Sequence, residues 1–179
     1  MRITISGKAG SGKSTVARLL SEKLGLKHYS IGDLMRAMAA EKGIALLELN
    51  ELAEKDKSID FELDNKLKEL GKTHDGFVVD GRLTAFFIPN ADIRAFLKTD
   101  DNVRAERILN DKREHEKSQT LKEMISKINQ REESEKKRYK QYYGADYSDK
   151  KLYNLVVDTT HMAPNEVVQK IIDFISKKH

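Results

Sequence analysis

The segment GKAGSGKS occupies residues 7–14, directly after the short alternating run Ile3 to Ser6. Its spacing, G-x-x-x-x-G-K-[ST], is that of a loop whose backbone N–H groups surround a phosphate. The run before it is typical of a β-strand, and apolar residues after it fall on one face of a helix from Lys13 to Leu24. A strand, a glycine-rich loop and a helix in this order predict an α/β fold with a phosphate-binding loop.

The residue types in this loop suit a nucleoside triphosphate. Glycine lets the backbone close around the phosphates, and the helix N-terminus adds its partial positive charge. Lys13 can reach the β- and γ-phosphates, and the Ser14 hydroxyl can hold a Mg²⁺ ion. The alternative is an ordinary glycine-rich turn, which the preceding strand and the following helix disfavour.

Strand-like and helix-like segments alternate along the rest of the chain, which predicts one α/β domain over residues 1–179 with a parallel sheet. The predicted strands are Ile3–Ser6, His28–Ser30, Phe77–Val79, Ile93–Leu97 and Leu155–Val157. The predicted helices are Lys13–Leu24, Ile31–Glu41, Leu46–Lys55, Ile59–Leu70, one that begins at Asn102 and one that begins near Pro164. Gly71 is expected to end the helix Ile59–Leu70.

The composition limits the possible classes of protein. The 179 residues contain no cysteine, which excludes a disulfide framework, a thiolate metal site and a cysteine nucleophile. Lys and Arg number 33 and Asp and Glu 29, so the formal net charge is +4, with acids and bases interleaved. Small acidic substrates fit this balance better than nucleic acid, and no apolar run approaches the roughly 18 residues of a membrane span. We expect a monomeric cytoplasmic protein without nucleic-acid or membrane partners.

Several P-loop classes are disfavoured by their own motifs. The Asp-x-x-Gly and Asn-Lys-x-Asp patterns of signalling GTPases do not occur in the sequence. A shikimate-type kinase would have a Gly-Gly pair for its acid substrate, and that pair is also absent. A short chain with this loop and additional arginines favours a small-molecule kinase.

The heptad SIGDLMR, residues 30–36, follows the second predicted strand. It resembles the segment that opens the acceptor-binding helix of nucleoside monophosphate kinases. The resemblance implies that Arg36 binds the acceptor phosphate with two parallel hydrogen bonds. It also implies that Ser30, Gly32 and Asp33 belong to the same site. The residues alone also fit a helix capped by Ser30 with Arg36 in solvent.

The stretch VVDGR, residues 78–82, places an acid at the end of a buried strand. Asp80 fits a position whose carboxylate contacts Mg²⁺ or the water molecules bound to it. The motif resembles the cytidylate kinases rather than the adenylate kinases, which carry Asp-Gly-aromatic-Pro-Arg. The resemblance implies that Arg82 is a second clamp on the acceptor phosphate. An ion pair between Asp80 and Arg82 is the alternative.

The segment from Arg131 to Arg138 follows an amphipathic stretch whose apolar stripe ends at Ile128. It resembles the lid of cytidylate kinases, Arg-(Asp/Glu)-x-x-(Asp/Glu)-x-x-Arg. The resemblance implies that both arginines close over the phosphates, with Glu132 and Glu135 ordering them while the lid is open. A salt-bridged surface helix is the alternative.

Three further residues are assigned by resemblance. Asp60 and Asp64 are four residues apart and share a helix face, as in archaeal-type cytidylate kinases, where a carboxylate can accept from the N4 amino group of cytosine. A capping Asp60 and a solvated Asp64 would explain the same pattern. Arg107 matches the position whose arginine stacks on the donor adenine.

Nearly the whole chain, from Arg2 to the last helix, resembles the archaeal-type cytidylate kinases. This implies transfer of the γ-phosphoryl group of ATP to CMP or dCMP on a five-stranded sheet flanked by helices. It also implies an acceptor-binding subdomain around 31–72 and a lid around 111–150. An adenylate or uridylate kinase, or a P-loop module that binds RNA or a protein partner and hydrolyses ATP slowly, stays open.

The site residues implied by the resemblance fall into four groups. The catalytic residues are Lys13, Arg82, Arg131 and Arg138. The ATP-binding residues are Gly7, Lys8, Ala9, Gly10, Ser11, Gly12, Lys13, Ser14, Thr15 and Arg107. The acceptor-binding residues are Ser30, Gly32, Asp33, Arg36, Asp60, Asp64 and Arg82. The Mg²⁺ residues are Ser14 and Asp80.

Overall fold

The computed structural model describes residues 1–111 and 120–178. Within those ranges five strands form one parallel sheet in the order β2-β3-β1-β4-β5. The strands are β1 Arg2–Gly7, β2 Lys27–Ser30, β3 Phe77–Gly81, β4 Ile93–Lys98 and β5 Leu155–Asp158. The predicted fold class is confirmed, and each predicted strand is present with an end shifted by at most two residues.

Helices cover both faces of the sheet. They are α1 Lys13–Leu24, α2 Ile31–Glu41, α3 Leu46–Lys55, α4 Lys57–Thr73, α5 Thr84–Phe87, α6 Asp101–Leu109, α7 Leu121–Tyr143 and α8 Pro164–Ser176, with a 3₁₀ turn at Lys150–Leu152. None of the helices in the described ranges is long and apolar enough to cross a membrane.

The core lies on both sides of the central strands. Val78 packs with α1 and α8, whereas its neighbours Phe77 and Val79 pack with Leu67 of α4 and Ile88. Successive side chains of a strand point to opposite faces, so this apolar run fills two layers of the core at once. The phosphate-binding loop is thereby fixed at the carboxyl end of β1, beside the end of β3.

Gly71 does not end α4, which corrects the sequence-based expectation. The helix continues to Thr73, and it begins at Lys57 because Asp56 caps it by accepting from Ser58 N at 2.9 Å. A Cβ on Gly71 would lie 3.1 Å from Ile88 Cγ1. The glycine therefore serves close packing between α4 and the segment after α5.

Helix α7 bridges two parts of the molecule. Its first half packs on α6 through Met124 and Ile128, against Ala105 and Ile108. Its second half lies along α3, where the Tyr142 hydroxyl donates to the Ala53 carbonyl at 2.9 Å. Of the predicted lid range 111–150, residues 112–119 lie outside the described residues.

The first and last described parts of the chain meet at Asp92, just before β4. The backbone N of Arg2 donates to Asp92 Oδ2 at 2.7 Å, and Lys178 Nζ donates to the Asp92 carbonyl at 2.8 Å. This junction lies at the amino ends of β1 and β4, opposite the end that carries the phosphate-binding loop.

Candidate active site

A cleft of about 520 Å³ opens at the carboxyl ends of the strands. Such crevices are the usual ligand sites of open α/β sheets. The predicted site residues that line it are Ala9, Gly10, Ser11, Gly12, Lys13, Ser14, Thr15, Gly32, Arg36, Asp60, Asp64, Asp80, Arg82, Arg107 and Arg131. Within the described ranges, the predicted residues that are not part of its lining are Gly7, Lys8, Ser30, Asp33 and Arg138.

The glycines of the loop permit its tight path. Gly10 and Gly12 have φ values of 73° and 85°, in the left-handed region that side chains disfavour. A Cβ on Gly10 would lie 2.5 Å from the carbonyl oxygen of Arg104. The loop can therefore lie directly against α6 and lead into the N-terminus of α1.

Lys13 is buried at the start of α1 and lines the cleft. Its Nζ donates to the Lys8 carbonyl at 2.7 Å. Burial, and next the positive charge of Arg82, lower its pKa well below the ordinary value for lysine. An anion in the cleft would relieve both effects.

Asp80 is a buried acceptor of several hydrogen bonds at the end of β3. Ser14 Oγ donates to Asp80 Oδ2 at 2.8 Å, and Ser30 Oγ approaches the same oxygen at 3.3 Å. His28 Nε2 lies 2.8 Å from Asp80 Oδ1. His28 was not recognised from the sequence, although it stands two residues before Ser30 and so points to the same face of β2.

Ser14 and Asp80 supply the oxygen donors that Mg²⁺ prefers. No cluster of three or more His, Cys, Asp or Glu side chains in residues 1–111 and 120–178 forms a metal site by itself. Mg²⁺ in nucleotide sites takes few protein ligands and completes its shell with water and phosphate oxygens. One hydroxyl and one adjacent carboxylate therefore fit a Mg²⁺ ion that arrives with a triphosphate.

Glu135 binds two arginines of the cleft at once. Arg82 Nε donates to Glu135 Oε2 at 2.7 Å, and Arg131 Nε donates to Glu135 Oε1 at 3.1 Å. Burial acts to raise the pKa of Glu135, but Arg82 and Arg131 outweigh it and hold this pKa at about 2. Arg82 also donates to the Gly7 carbonyl at 3.1 Å, so it is fixed against the phosphate-binding loop. The alternative pairing of Arg82 with Asp80 is not the arrangement observed.

Arg138 points away from the cleft, unlike Arg131. It is 1 % exposed, and its Nε donates to Asp60 Oδ2 at 2.8 Å. Its Nη1 donates to the Asn50 carbonyl at 3.0 Å and to Ser134 Oγ at 2.7 Å. These contacts join α7 to α3 and α4, so in this structure the two arginines of the lid motif do not face one space.

Asp64 lies on the cleft wall and accepts a hydrogen bond from the Tyr143 hydroxyl. Burial raises its pKa from 3.8 to about 6, against the opposing effect of that hydrogen bond. Burial also raises the pKa of Asp60, against the opposing charge of Arg138. Asp60 and Asp64 are thus both buried beside the cleft, and neither is the solvated residue of the alternative interpretation.

Ser30, Arg36 and Arg107 are each bonded to groups of the protein itself. Ser30 caps α2 by accepting from Asp33 N at 3.3 Å, and Arg36 Nη2 donates to Asp33 Oδ1 at 2.5 Å. Arg107 Nη2 donates to the Thr159 carbonyl at 2.8 Å. A Cβ on Gly12 would be 3.9 Å from Arg107 Nη1, so this arginine lies beside the loop.

The sheet order, the phosphate-binding loop and the arginines around one cleft define a P-loop kinase. Residues 2–161 match the model of the cytidylate kinase-like family, and the chain belongs to that family. The family match confirms the prediction of a nucleoside monophosphate kinase and does not favour an adenylate or uridylate kinase.

Curated relatives are similar over most of their length. Cytidylate kinase of Methanothrix thermoacetophila is 45% identical over 159 residues, covering 89% of this chain and 88% of that protein. Cytidylate kinase of Archaeoglobus fulgidus is 38% identical over 178 residues, covering 99% and 96%. A shikimate kinase structure from Bacteroides thetaiotaomicron has a TM-score of 0.68, 14% identity and 98% coverage of both chains. At that identity the similarity shows the fold.

Proposed function

We propose that this chain transfers the γ-phosphoryl group of ATP to CMP or dCMP, giving ADP and CDP or dCDP. One observation carries the proposal: a single cleft is lined by the loop from Ala9 to Ser14, by Arg36 and by the two arginines that share Glu135. Membership of the cytidylate kinase-like family supports the same reaction.

The donor triphosphate lies in the phosphate-binding loop. Backbone N–H groups and the N-terminus of α1 surround its phosphates, and Lys13 neutralises their charge. Arg107 lies beside the donor base. Ser14 and Asp80 would hold a Mg²⁺ ion, which would neutralise charge on the phosphates.

The acceptor phosphate is itself the nucleophile, so the reaction requires no general base. Its oxygens are already ionised at neutral pH, and the residues have to position them and compensate the charge. Arg36 and Arg82 hold the acceptor phosphate, and Arg131 stabilises the phosphoryl group in transfer. A guanidinium presents paired N–H donors, which match phosphate oxygens.

Asp64 is the better candidate of the two acids for reading cytosine. Its carboxylate can accept a hydrogen bond from the N4 amino group, which uracil lacks. Asp60 is bonded to Arg138 and so contributes by holding α7 against α4. We assign Arg138 the same holding role, since its guanidinium is bonded to Asp60, Asn50 and Ser134.

The test is ADP production from ATP and Mg²⁺ with CMP, dCMP, UMP, AMP and GMP supplied one at a time. The proposal expects strong stimulation by CMP and dCMP. Stimulation mainly by AMP or UMP would reject the base assignment while leaving the phosphate clamps in place. Slow hydrolysis that no nucleotide stimulates, together with RNA binding that falls steeply with salt, would support the P-loop binding module instead.

A further inference from the structure

A second cluster of buried charges lies behind the phosphate-binding loop. It contains Arg104 of α6 and Glu132 of α7, which are 0% and 5% exposed, with Lys8 and Asp101 at its edge. Neither Arg104 nor Glu132 lines the cleft formed by the described residues, so neither side chain faces a nucleotide bound there.

Arg104 contacts the loop with both its side chain and its backbone. Its Nη1 donates to the Ala9 carbonyl at 3.0 Å, while its own carbonyl oxygen lies where a Cβ on Gly10 would be 2.5 Å away. Its Nε and Nη2 donate to Asp101 Oδ1 at 3.1 and 2.6 Å. Asp101 is one helical turn away on α6, so these bonds fix the direction of the guanidinium.

Glu132 connects this arginine to the lid helix. Arg104 Nη1 donates to Glu132 Oε1 at 2.5 Å, and Lys8 Nζ lies 3.1 Å from Glu132 Oε2. Through one carboxylate, α7 is joined to the consecutive loop residues Lys8 and Ala9. The resemblance implies that Glu132 orders Arg131 and Arg138. In the structure Glu132 is bonded instead to Arg104 and Lys8.

The position of the Ala9 carbonyl decides where the next N–H points. The described chain has no cis peptide bond, and in a planar trans peptide the C=O and the following N–H point in opposite directions. With the Ala9 oxygen held towards the Arg104 guanidinium, the N–H of Gly10 points away from that guanidinium. Ala9 and Gly10 line the cleft and Arg104 does not, so an N–H turned away from the Arg104 guanidinium has the cleft as its open side.

We propose that Arg104 and Glu132 are positioning residues for ATP, because they hold the Ala9–Gly10 peptide with its N–H turned towards the donor phosphates. The inference rests on the proposed function in that ATP is the ligand of the loop. The competing explanation is that the two residues merely fasten α6 to α7. Stability and ATP binding separate the two explanations.

The decisive variant is the double substitution Arg104→Met with Glu132→Leu. Replacing both members of a buried ion pair by apolar residues of similar volume is often neutral or stabilising, so the fold is expected to persist. The Ala9 carbonyl, however, loses its donor. We expect the Kd of ATP, measured by titration calorimetry without CMP, to rise tenfold or more. The Kd of CMP should stay within twofold of wild type.

A single substitution covers the case in which the double variant does not fold. Glu132→Gln keeps the shape and one acceptor, but a neutral amide holds the Arg104 guanidinium against the Ala9 carbonyl less firmly and no longer forms the ion pair with Lys8. It should weaken ATP binding several-fold with kcat at saturating ATP changed less than the KM for ATP. The control is Glu133→Gln, which alters an exposed carboxylate on the same helix and should leave ATP binding unchanged.

The outcomes are distinguishable from failure of the proposed function. If wild-type protein does not bind ATP, the proposed function and this inference both fail. If wild type binds ATP and the folded double variant binds it equally well, the positioning role alone is rejected. Should the double variant not fold, an ATP affinity of Glu132→Gln equal to that of Glu133→Gln rejects it.

Discussion

At the scale of single residues, the cleft depends on carboxylates that fix cations. Glu135 holds Arg82 and Arg131 at 2.7 and 3.1 Å, which fixes both guanidinium groups before a substrate arrives. Such preorganisation avoids reordering long side chains during the reaction. The consequence is that each arginine shares its N–H donors between Glu135 and an incoming phosphate.

Arg82→Lys should remove the paired N–H donors of the guanidinium while keeping the positive charge that compensates Glu135. We expect kcat to fall about 10²- to 10³-fold, since a lysine cannot replace the paired donors of an arginine on a phosphate. The Kd of ATP should change by less than about threefold. Arg18→Lys, on the exposed surface of α1, is the matched control. Unchanged turnover in Arg82→Lys would remove Arg82 from the site.

Asp64→Asn should narrow the preference for CMP over UMP. An amide offers both a donor and an acceptor, so it no longer favours the N4 amino group of cytosine over the O4 carbonyl of uracil. We expect the ratio of kcat/KM values to fall about tenfold. Asp56→Asn, which retains the cap at the start of α4, is the control. A ratio that stays at the wild-type value would reject Asp64 as the reader of the base.

At the scale of elements, α7 is held by charge where its apolar stripe ends. Beyond Ile128 it buries Glu132, Ser134, Glu135 and Arg138 against partners on other elements. Arg138 and the preceding residue, Lys137, differ in how far their side chains are buried. Arg138 is bonded within the interior, whereas Lys137 reaches Glu54 with a side chain that is 69% exposed.

Arg138→Met should destabilise the protein by about 3 kcal/mol, because it leaves Asp60 buried without its cation. Lys137→Met, the neighbouring control, should cost less than about 1 kcal/mol, as expected of an exposed pair. Urea unfolding of both variants checks the difference. Equal unfolding midpoints for the two variants would show that Arg138 does not hold α7 to α4.

The features of the fold that the sequence predicts are those that depend on residues close together in the chain. The loop spacing, the apolar run in β3 and the stripe from Leu121 to Ile128 are periodic features, and each located its element. Pairings such as Arg138 with Asp60 join residues 78 apart, and no local pattern specifies them. Gly71 was misread for the same reason, since its role depends on Ile88 rather than on its neighbours in sequence.

At the scale of the whole molecule, two buried carboxyl groups respond oppositely to pH. Burial raises the pKa of Asp64 to about 6, while Arg82 and Arg131 overcome burial and hold that of Glu135 at about 2. Between pH 4 and 6 the folded protein keeps a proton on Asp64 that the unfolded chain has lost. Stability from Asp64 is therefore fully present below its unfolded pKa and is lost as the pH rises through about 6.

Asp64→Asn should abolish this part of the pH dependence. The free energy of unfolding of wild type, relative to the variant, should fall by up to about 3 kcal/mol between pH 4 and pH 7.5, from 1.36 kcal/mol per pKa unit. Glu135 is present in both proteins, so its contribution cancels. Urea unfolding at several pH values measures the difference, with Glu62→Gln as an exposed control on α4. A pH-independent difference would contradict the shifted pKa.

The junction of Arg2 and Lys178 at Asp92 determines how the protein can be attached to a surface. Arg2 and Lys178 meet there at the amino ends of the strands, and the cleft opens at the carboxyl ends. An anchor attached at Arg2 or Lys178 would therefore lie on the side opposite the cleft. A sensor surface that holds the protein at this junction leaves the cleft facing the solution.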